Sequence, residues 1–191
     1  MALLDYYSKN TLPAEGVYTA RIAAYIETGI AETRFGDSYQ AKCTIELCGP
    51  SLKAGQPVVV YKTIFNQSMR SQKFRDFLKA TTNRAELSGF DLKDIVGCQC
   101  DAVISHRETE GGIFADVEVT RYKGTAKLPP LMSTPLFFSL HPSDFDPDVL
   151  EALPERLRDR IKRGSTYQDL MLRRLLPDKP AAEIINDDFP F

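Results

Sequence analysis

The fold is decided by the stretch VVVYKTIF at residues 58–65 and by the SQKFRDFLKA that follows at residues 71–80. The first run is dense in β-branched and aromatic residues, which favour a strand. In the second run Phe74, Phe77 and Leu78 recur at helical spacing, and Ser71 is suited to cap the helix N-terminus. A strand followed by a helix is therefore predicted in the middle of the chain.

Two strands are predicted before this stretch and two after it. Apolar and polar side chains alternate over residues 17–28 and again over residues 39–47, as in half-buried strands. After the helix, residues 98–107 and 113–122 form two further predicted strands, joined by a turn at residues 110–112. Three strands, one helix and two strands is the element order of the OB-fold, a five-stranded Greek-key barrel with its helix between strands three and four. The predicted fold is mainly β.

The alternation also predicts which side chains face the core. The apolar face of the first strand holds Tyr18, Ala20, Ile22, Ala24 and Ile26. Glu27 and Arg21 lie on the opposite face, and Lys42 and Lys62 are interpreted as outward on the second and third strands. Because packing does not require a charge at an outward position, these three cations are candidates for ligand contact.

Beyond residue 125 the chain changes character, because closely spaced prolines break regular structure there. An apolar patch at residues 137–140 is expected to dock on the barrel. Amphipathic helices are predicted within residues 147–162, divided at Pro154, and from residue 167, with Leu170, Met171 and Leu175 toward one side. The predicted parts are an OB-fold domain, a helical extension packed on it and a flexible acidic tail, at residues 1–125, 126–178 and 179–191.

The formal net charge of −2 hides an uneven distribution of charge. One acid, Asp76, accompanies six bases within residues 60–84, namely Lys62, Arg70, Lys73, Arg75, Lys79 and Arg84. Residues 144–155 carry acids and no base. A basic patch with a separate acidic region is typical of a nucleic-acid binder whose tail contacts proteins. The alternative interpretation is that these bases form the solvated face of one helix.

Several classes of protein fit the sequence poorly. No apolar run reaches the roughly 18 residues of a membrane span, and the N-terminus is unlike a signal peptide, so a cytoplasmic location is expected. The four cysteines do not have the spacing of a zinc site and are interpreted as buried reduced thiols; they are Cys43, Cys48, Cys98 and Cys100. No metal or cofactor is expected.

An enzyme is not predicted either. His106 and His141 lie in no catalytic motif, and Asp144 and Asp146 are interpreted as turn and helix-capping residues. No phosphate-binding glycine loop is present.

A barrel of this kind binds single-stranded nucleic acid in a groove across strands two and three. Such a groove needs aromatic faces for bases and cations for phosphates. The candidate stacking residues are Phe35, Tyr39, Tyr61 and Phe65, and the candidate phosphate partners are Arg21, Arg34, Lys42, Lys62, Arg70 and Lys73. Aromatic residues on strands are also common core residues, so each aromatic candidate has that alternative.

The final five residues carry a second candidate site, Asp187, Asp188, Phe189, Pro190 and Phe191. An aromatic anchor bearing the terminal carboxylate suits an apolar pocket with a basic rim, and the two acids steer its approach. The ending resembles the Asp-Asp-Ile-Pro-Phe tip of bacterial single-stranded-DNA-binding proteins. That resemblance implies recruitment of partner proteins; the alternative is a C-terminus docked on its own domain.

Three further segments resemble a tailed-phage group of OB-fold single-stranded-DNA-binding proteins. They are LPAEGVYTARI at residues 12–22, GFDL at residues 89–92 before a Val-Gly and a strand, and PLFFSL at residues 135–140 before an acidic helix. The resemblance implies sequence-independent binding and protection of single-stranded DNA in phage replication or recombination, without catalysis, in the host cytoplasm. It implies replication or recombination proteins as partners of the tail.

A protein–protein adaptor without nucleic-acid binding is the alternative function. Its barrel would hold one protein while its tail recruits another. Steep loss of affinity for single-stranded DNA with salt distinguishes a DNA binder from such an adaptor. The sequence leaves open whether the chain forms a homo-oligomer and whether the helical extension contacts DNA.

Overall fold

The computed structural model describes residues 12–34, 36–48 and 57–175. The strands are β1 (Gly16–Thr33), β2 (Gly36–Cys48), β3 (Val58–Ile64), β4 (Gln99–Thr109), β5 (Gly112–Arg121) and β6 (Leu136–Phe138). The helices are α1 (Gln72–Thr82), α2 (Pro147–Ala152), α3 (Glu155–Arg163) and α4 (Ser165–Leu175), with a short 3-10 helix at Leu92–Ile95. The predicted order of three strands, one helix and two strands is confirmed.

One sheet contains all six strands. Its order is β3-β2-β1-β4-β5, with antiparallel neighbours, and β6 pairs with β1 in parallel. The predicted β-rich class is confirmed. In the part of the chain that the structure describes, no backbone ladder joins β3 to β5, so the sheet is not closed by hydrogen bonds into a barrel.

Strand β1 contributes side chains to two hydrophobic cores because it contains β-bulges. Its register against β2 shifts between Ile22 and Ala24 and again between Glu27 and Gly29. An extra residue at a bulge reverses the face to which the following side chains point. Ile22 and Tyr25 consequently lie in the main core, whereas Ala24 lies in a second core. The prediction of a single apolar face from Tyr18 to Ile26 is wrong.

Helix α1 begins as predicted from its sequence. The Ser71 hydroxyl accepts a hydrogen bond from the Phe74 amide at 3.4 Å, which satisfies one of the unpaired amides of the first turn. Phe74, Phe77 and Leu78 are buried in the main core, so the helix packs beneath the sheet through its predicted apolar stripe.

The second core joins the C-terminal helices to β1 through Phe138, Leu150, Ile161 and other apolar residues. Asp146 caps α2 by accepting from the amides of Asp148 and Val149, and α2 ends before Pro154, as predicted. Leu170 is buried in this core. Leu175 is 76% exposed, so the prediction that it shares the buried side of the last helix is wrong.

The cysteines are all free, and two of them are core residues. Cys43 and Cys100 are buried, and burial raises the pKa of the Cys100 thiol to about 12. Cys48 and Cys98 are only partly buried, so the interpretation of all four as buried thiols is wrong for these two. Cys98 precedes β4, and its thiol donates to the Asp94 carbonyl. Among the described residues no three potential metal ligands form a group. No helix in the same ranges is long and apolar enough to cross a bilayer.

Candidate nucleic-acid interface

The outward face of β2 and β3 is defined by their pairing. Lys42 lies opposite Thr63, and Thr44 lies opposite Tyr61. Residues directly opposite each other on neighbouring strands point to the same side of the sheet. Because the intervening Cys43 belongs to the main core, these four side chains point away from that core. Lys42, Tyr61 and Thr63 are half-buried and form the central part of the predicted groove, whereas Thr44 is covered, with 1% of its surface exposed.

Lys42 is half-buried on this outward face. Its amine donates to the Thr63 hydroxyl at 2.7 Å. Burial, with a smaller contribution from the neighbouring charge of Arg160, lowers the pKa of the Lys42 amine. No carboxylate forms an ion pair with this amine among the residues described. The predicted outward position of Lys42 is therefore confirmed, and the neighbouring charge that affects its pKa is another cation, Arg160.

Arg160 reaches this face from α3. Its guanidinium donates to the side-chain oxygen of Gln40 at 3.1 Å, across 120 residues of sequence. Gln40 and Lys42 are two residues apart on β2, so both side chains lie on the same side of the strand. The structure therefore brings Lys42 and Arg160 together, which the sequence did not predict.

Lys62 does not lie on the outward face. It pairs with Cys43 and belongs to the row of β3 side chains that faces the core. Its amine donates to the Val117 carbonyl of β5 at 2.6 Å. The predicted outward position of Lys62 is wrong, because β3 places Thr63 rather than Lys62 opposite Lys42. Lys62 bridges the two outer strands of the sheet.

The Arg21 guanidinium is engaged by backbone carbonyls. It donates to those of Gly97, Leu128 and Pro129, each at 2.7 Å, and more weakly to the Gln99 side chain at 3.4 Å. Most of its donor groups are therefore occupied within the chain. Arg21 holds two connecting segments against β1.

The aromatic candidates differ in their surroundings. Phe65 follows β3 and is 53% exposed, and Tyr61 is half-buried. The Tyr39 hydroxyl donates to the Glu27 carboxylate at 3.2 Å, and burial together with that carboxylate raises the pKa of Tyr39. Exposed Arg34 ends the β1 side of the hairpin, and Phe35 lies outside the described residues.

The basic segment at residues 60–84 is dispersed over the surface. Arg75 donates to the Met69 carbonyl, and Arg84 lies over the ring of Phe90 at 5.4 Å from its centroid. Both charges are therefore used in local contacts. Exposed Arg70 and Lys73 precede and begin α1, and both remain available to a ligand.

Glu27 joins the sheet to the C-terminal segment and is only 5% exposed. Its carboxylate accepts hydrogen bonds from the Ser139 hydroxyl at 2.9 Å, the Leu140 amide at 2.7 Å and Tyr39, and also from the Gln67 side chain. A cleft of about 400 Å³ lies beside it, between the hairpin end of β1 and α4. The interpretation of Glu27 as a residue of the polar strand face is wrong, because the bulge after Ile22 turns it to the same side as its core-facing partner Ala41.

Helix α3 is the basic element that the charge analysis missed. It carries five cations, Arg156, Arg158, Arg160, Lys162 and Arg163. Arg158 and Lys162 pair with Glu151 of α2. The signal was present in the sequence, since bases outnumber acids within residues 156–163, but the neighbouring acids of residues 144–155 concealed it in the regional count.

Neither the models of known protein families nor the curated proteins include a match to this chain. The predicted tail residues 187–191 lie outside the described residues. The interface is therefore defined by the geometry of β2, β3 and α3.

Proposed function

We propose that this chain binds single-stranded DNA without sequence preference, through the outward face of β2 and β3. The observation that carries the proposal is the strand order β3-β2-β1-β4-β5 with α1 between β3 and β4, combined with Lys42 and Tyr61 on the outward face. Cations neutralise phosphates, and aromatic faces stack on bases of any sequence.

The proposal includes an OB-fold barrel. In that fold the third and fifth strands come together and close the sheet. The bond from the Lys62 amine to the Val117 carbonyl supports this closure, because it links β3 to β5 at the two edges of the observed strand order. The polar contact takes the place of a backbone ladder at this edge.

The DNA path is proposed to run over Lys42 and Tyr61, past Phe65 and toward Arg70 and Lys73. Lys42 lies on β2, and the other side chains extend along β3 and into the first turn of α1. Arg34 lies at the β1–β2 hairpin and is a further candidate. The proposal assigns no catalytic step to these residues. By the sequence resemblance, the biological setting is phage DNA replication or recombination.

We expect a clear preference for single-stranded over duplex DNA. A flexible single strand presents its bases to aromatic side chains, whereas a duplex conceals them. Fluorescence titration with oligo-dT, a mixed-sequence single strand and a duplex of equal length, each at several salt concentrations, measures the preference. Both single strands should bind with similar affinity that falls steeply with salt.

Two outcomes of this titration contradict the proposal. Equal affinity for duplex and single strand removes the role assigned to the aromatic residues. Failure to bind single-stranded DNA at low salt favours the protein–protein adaptor instead.

The tail is proposed to recruit partner proteins. Deleting residues 187–191 should abolish their capture and leave DNA affinity equal or greater, because Asp187 and Asp188 resemble phosphate in charge and compete weakly for the cations. Phe191→Ala should reproduce most of the loss, since truncating a buried aromatic anchor is costly. Pull-downs of cell lysate on the intact chain and both variants test this. Identical sets of captured proteins would contradict it.

A further inference from the structure

The position of Arg160 brings the C-terminal helices into contact with the proposed DNA-binding face. Its guanidinium donates a hydrogen bond to the Gln40 side chain. Gln40 and Lys42 are consecutive side chains on the outward face of β2, two residues apart in sequence. Side chains two residues apart on a strand are separated by about 7 Å. The two cationic groups are therefore close enough to contact one phosphate or two successive phosphates.

The electrostatics of this pair favour an anion. Arg160 is exposed and Lys42 is half-buried, and neither has an ion-pair partner within the described ranges. Placing like charges together at a partly desolvated site is unfavourable until a negative group neutralises them. The lowered pKa of Lys42 is consistent with this, since Arg160 contributes to it.

The chemistry of the two side chains suits a phosphodiester. A guanidinium presents several N–H groups in one plane and binds phosphate oxygens in pairs, whereas an ammonium acts as a point charge. One donor group of Arg160 is used by Gln40, which fixes the side chain and leaves other donors for a ligand. Tyr61 lies on the same outward face, two residues from the Thr63 that holds Lys42.

We propose that α3 supplies Arg160 as a phosphate-binding side chain of the single-stranded-DNA site, where it acts together with Lys42. This inference rests on the proposed function and extends it, because it makes the C-terminal helices part of the binding surface as well as a packing element. A structural alternative is that Arg160 only latches α3 to β2 through Gln40.

The test compares Arg160→Gln with Lys162→Gln in the full chain. Each variant removes one positive charge from α3, but Lys162 lies about half a turn around the helix and pairs with Glu151. Binding to oligo-dT is measured against salt concentration, and a thermal melt checks folding. Arg160→Gln should weaken binding and reduce the slope of log K against log salt by about 0.7. Lys162→Gln should leave the slope close to that of the unmodified chain.

Arg160→Lys separates a phosphate contact from a latch. This variant keeps the charge but loses the planar group, so a phosphate contact predicts that most of the salt slope is retained. A latch predicts that Arg160→Gln and Arg160→Lys lower the melting temperature and leave the slope unchanged, and that result would overturn the inference.

The unmodified chain distinguishes failure of the inference from failure of the proposed function. If it binds oligo-dT and Arg160→Gln binds with the same slope, the inference is wrong and the proposed function stands. If Arg160→Gln and Lys162→Gln reduce the salt slope by the same amount, the inference is also overturned, because the effect then comes from the net charge of α3 and not from a contact of Arg160. If the unmodified chain does not bind oligo-dT, both proposals fail.

Discussion

Glu27→Ala is expected to lower the free energy of unfolding by about 3–5 kcal/mol, because each buried donor left without a partner costs about 1–3 kcal/mol. The Ser139 hydroxyl and the Leu140 amide both lose their carboxylate acceptor, and the Tyr39 hydroxyl loses one as well. These donors belong to β2 and to the segment after β6, so the loss is expected to loosen the attachment of the C-terminal helices. Urea denaturation of the unmodified chain and the variant measures the change.

Glu32→Ala is the matched control, because Glu32 lies on the same strand and is exposed. A surface substitution of this kind is expected to change stability by less than about 0.5 kcal/mol. Glu27→Gln should fall between the two, since the amide keeps one acceptor oxygen. If Glu27→Ala is no more destabilising than Glu32→Ala, the carboxylate does not hold the two parts together.

The features that sequence reasoning predicted correctly are those set by local patterns. A period of two residues marked β2, a dense run of β-branched and aromatic residues marked β3, and a hydroxyl before an apolar stripe marked the start of α1. Asp146 and Pro154 marked the ends of short helices because capping and the missing proline amide act within one turn. The element order followed from these signals.

The bulges of β1 were not predictable in the same way. Residues 17–28 alternate well enough to suggest one continuous face, yet an inserted residue near Ala23 reverses it. What determines the reversal is the second core, which needs Ala24 and Ile26 on the other side of the strand. The other residues of that core lie more than 100 positions away in sequence, so the local pattern of β1 cannot predict the reversal.

The candidate site likewise combines features that local sequence predicts with features that depend on distant contacts. The outward direction of Lys42 was predictable from its own strand, whereas its neighbour Arg160 comes from α3. Hydrophobic patterning shows which face of a helix is buried but not which strand it packs against. Lys62 was misassigned because the third strand has few polar residues, and its apolar run does not define an inward and an outward row.

Lys62→Met is expected to lower the free energy of unfolding by about 1.5–3 kcal/mol, the range for a hydrogen bond that involves a charged group. The substitution keeps an unbranched side chain on the core-facing row but removes the bond from the amine to the Val117 carbonyl. Since that bond links β3 to β5, the two edges of the sheet should separate more readily. The salt slope of oligo-dT binding should not change, because the amine points to β5.

Lys42→Met provides the matched comparison, because it makes the same chemical change on the outward row of the neighbouring strand. It should reduce the salt slope by about 0.7, as expected for loss of one phosphate contact. It should cost less stability than Lys62→Met, since removing Lys42 also removes an unfavourable proximity to Arg160. Urea denaturation and salt-dependent titration of both variants measure the two properties separately. If Lys62→Met instead reduces the slope and leaves stability unchanged, Lys62 contacts DNA and does not join the edges of the sheet.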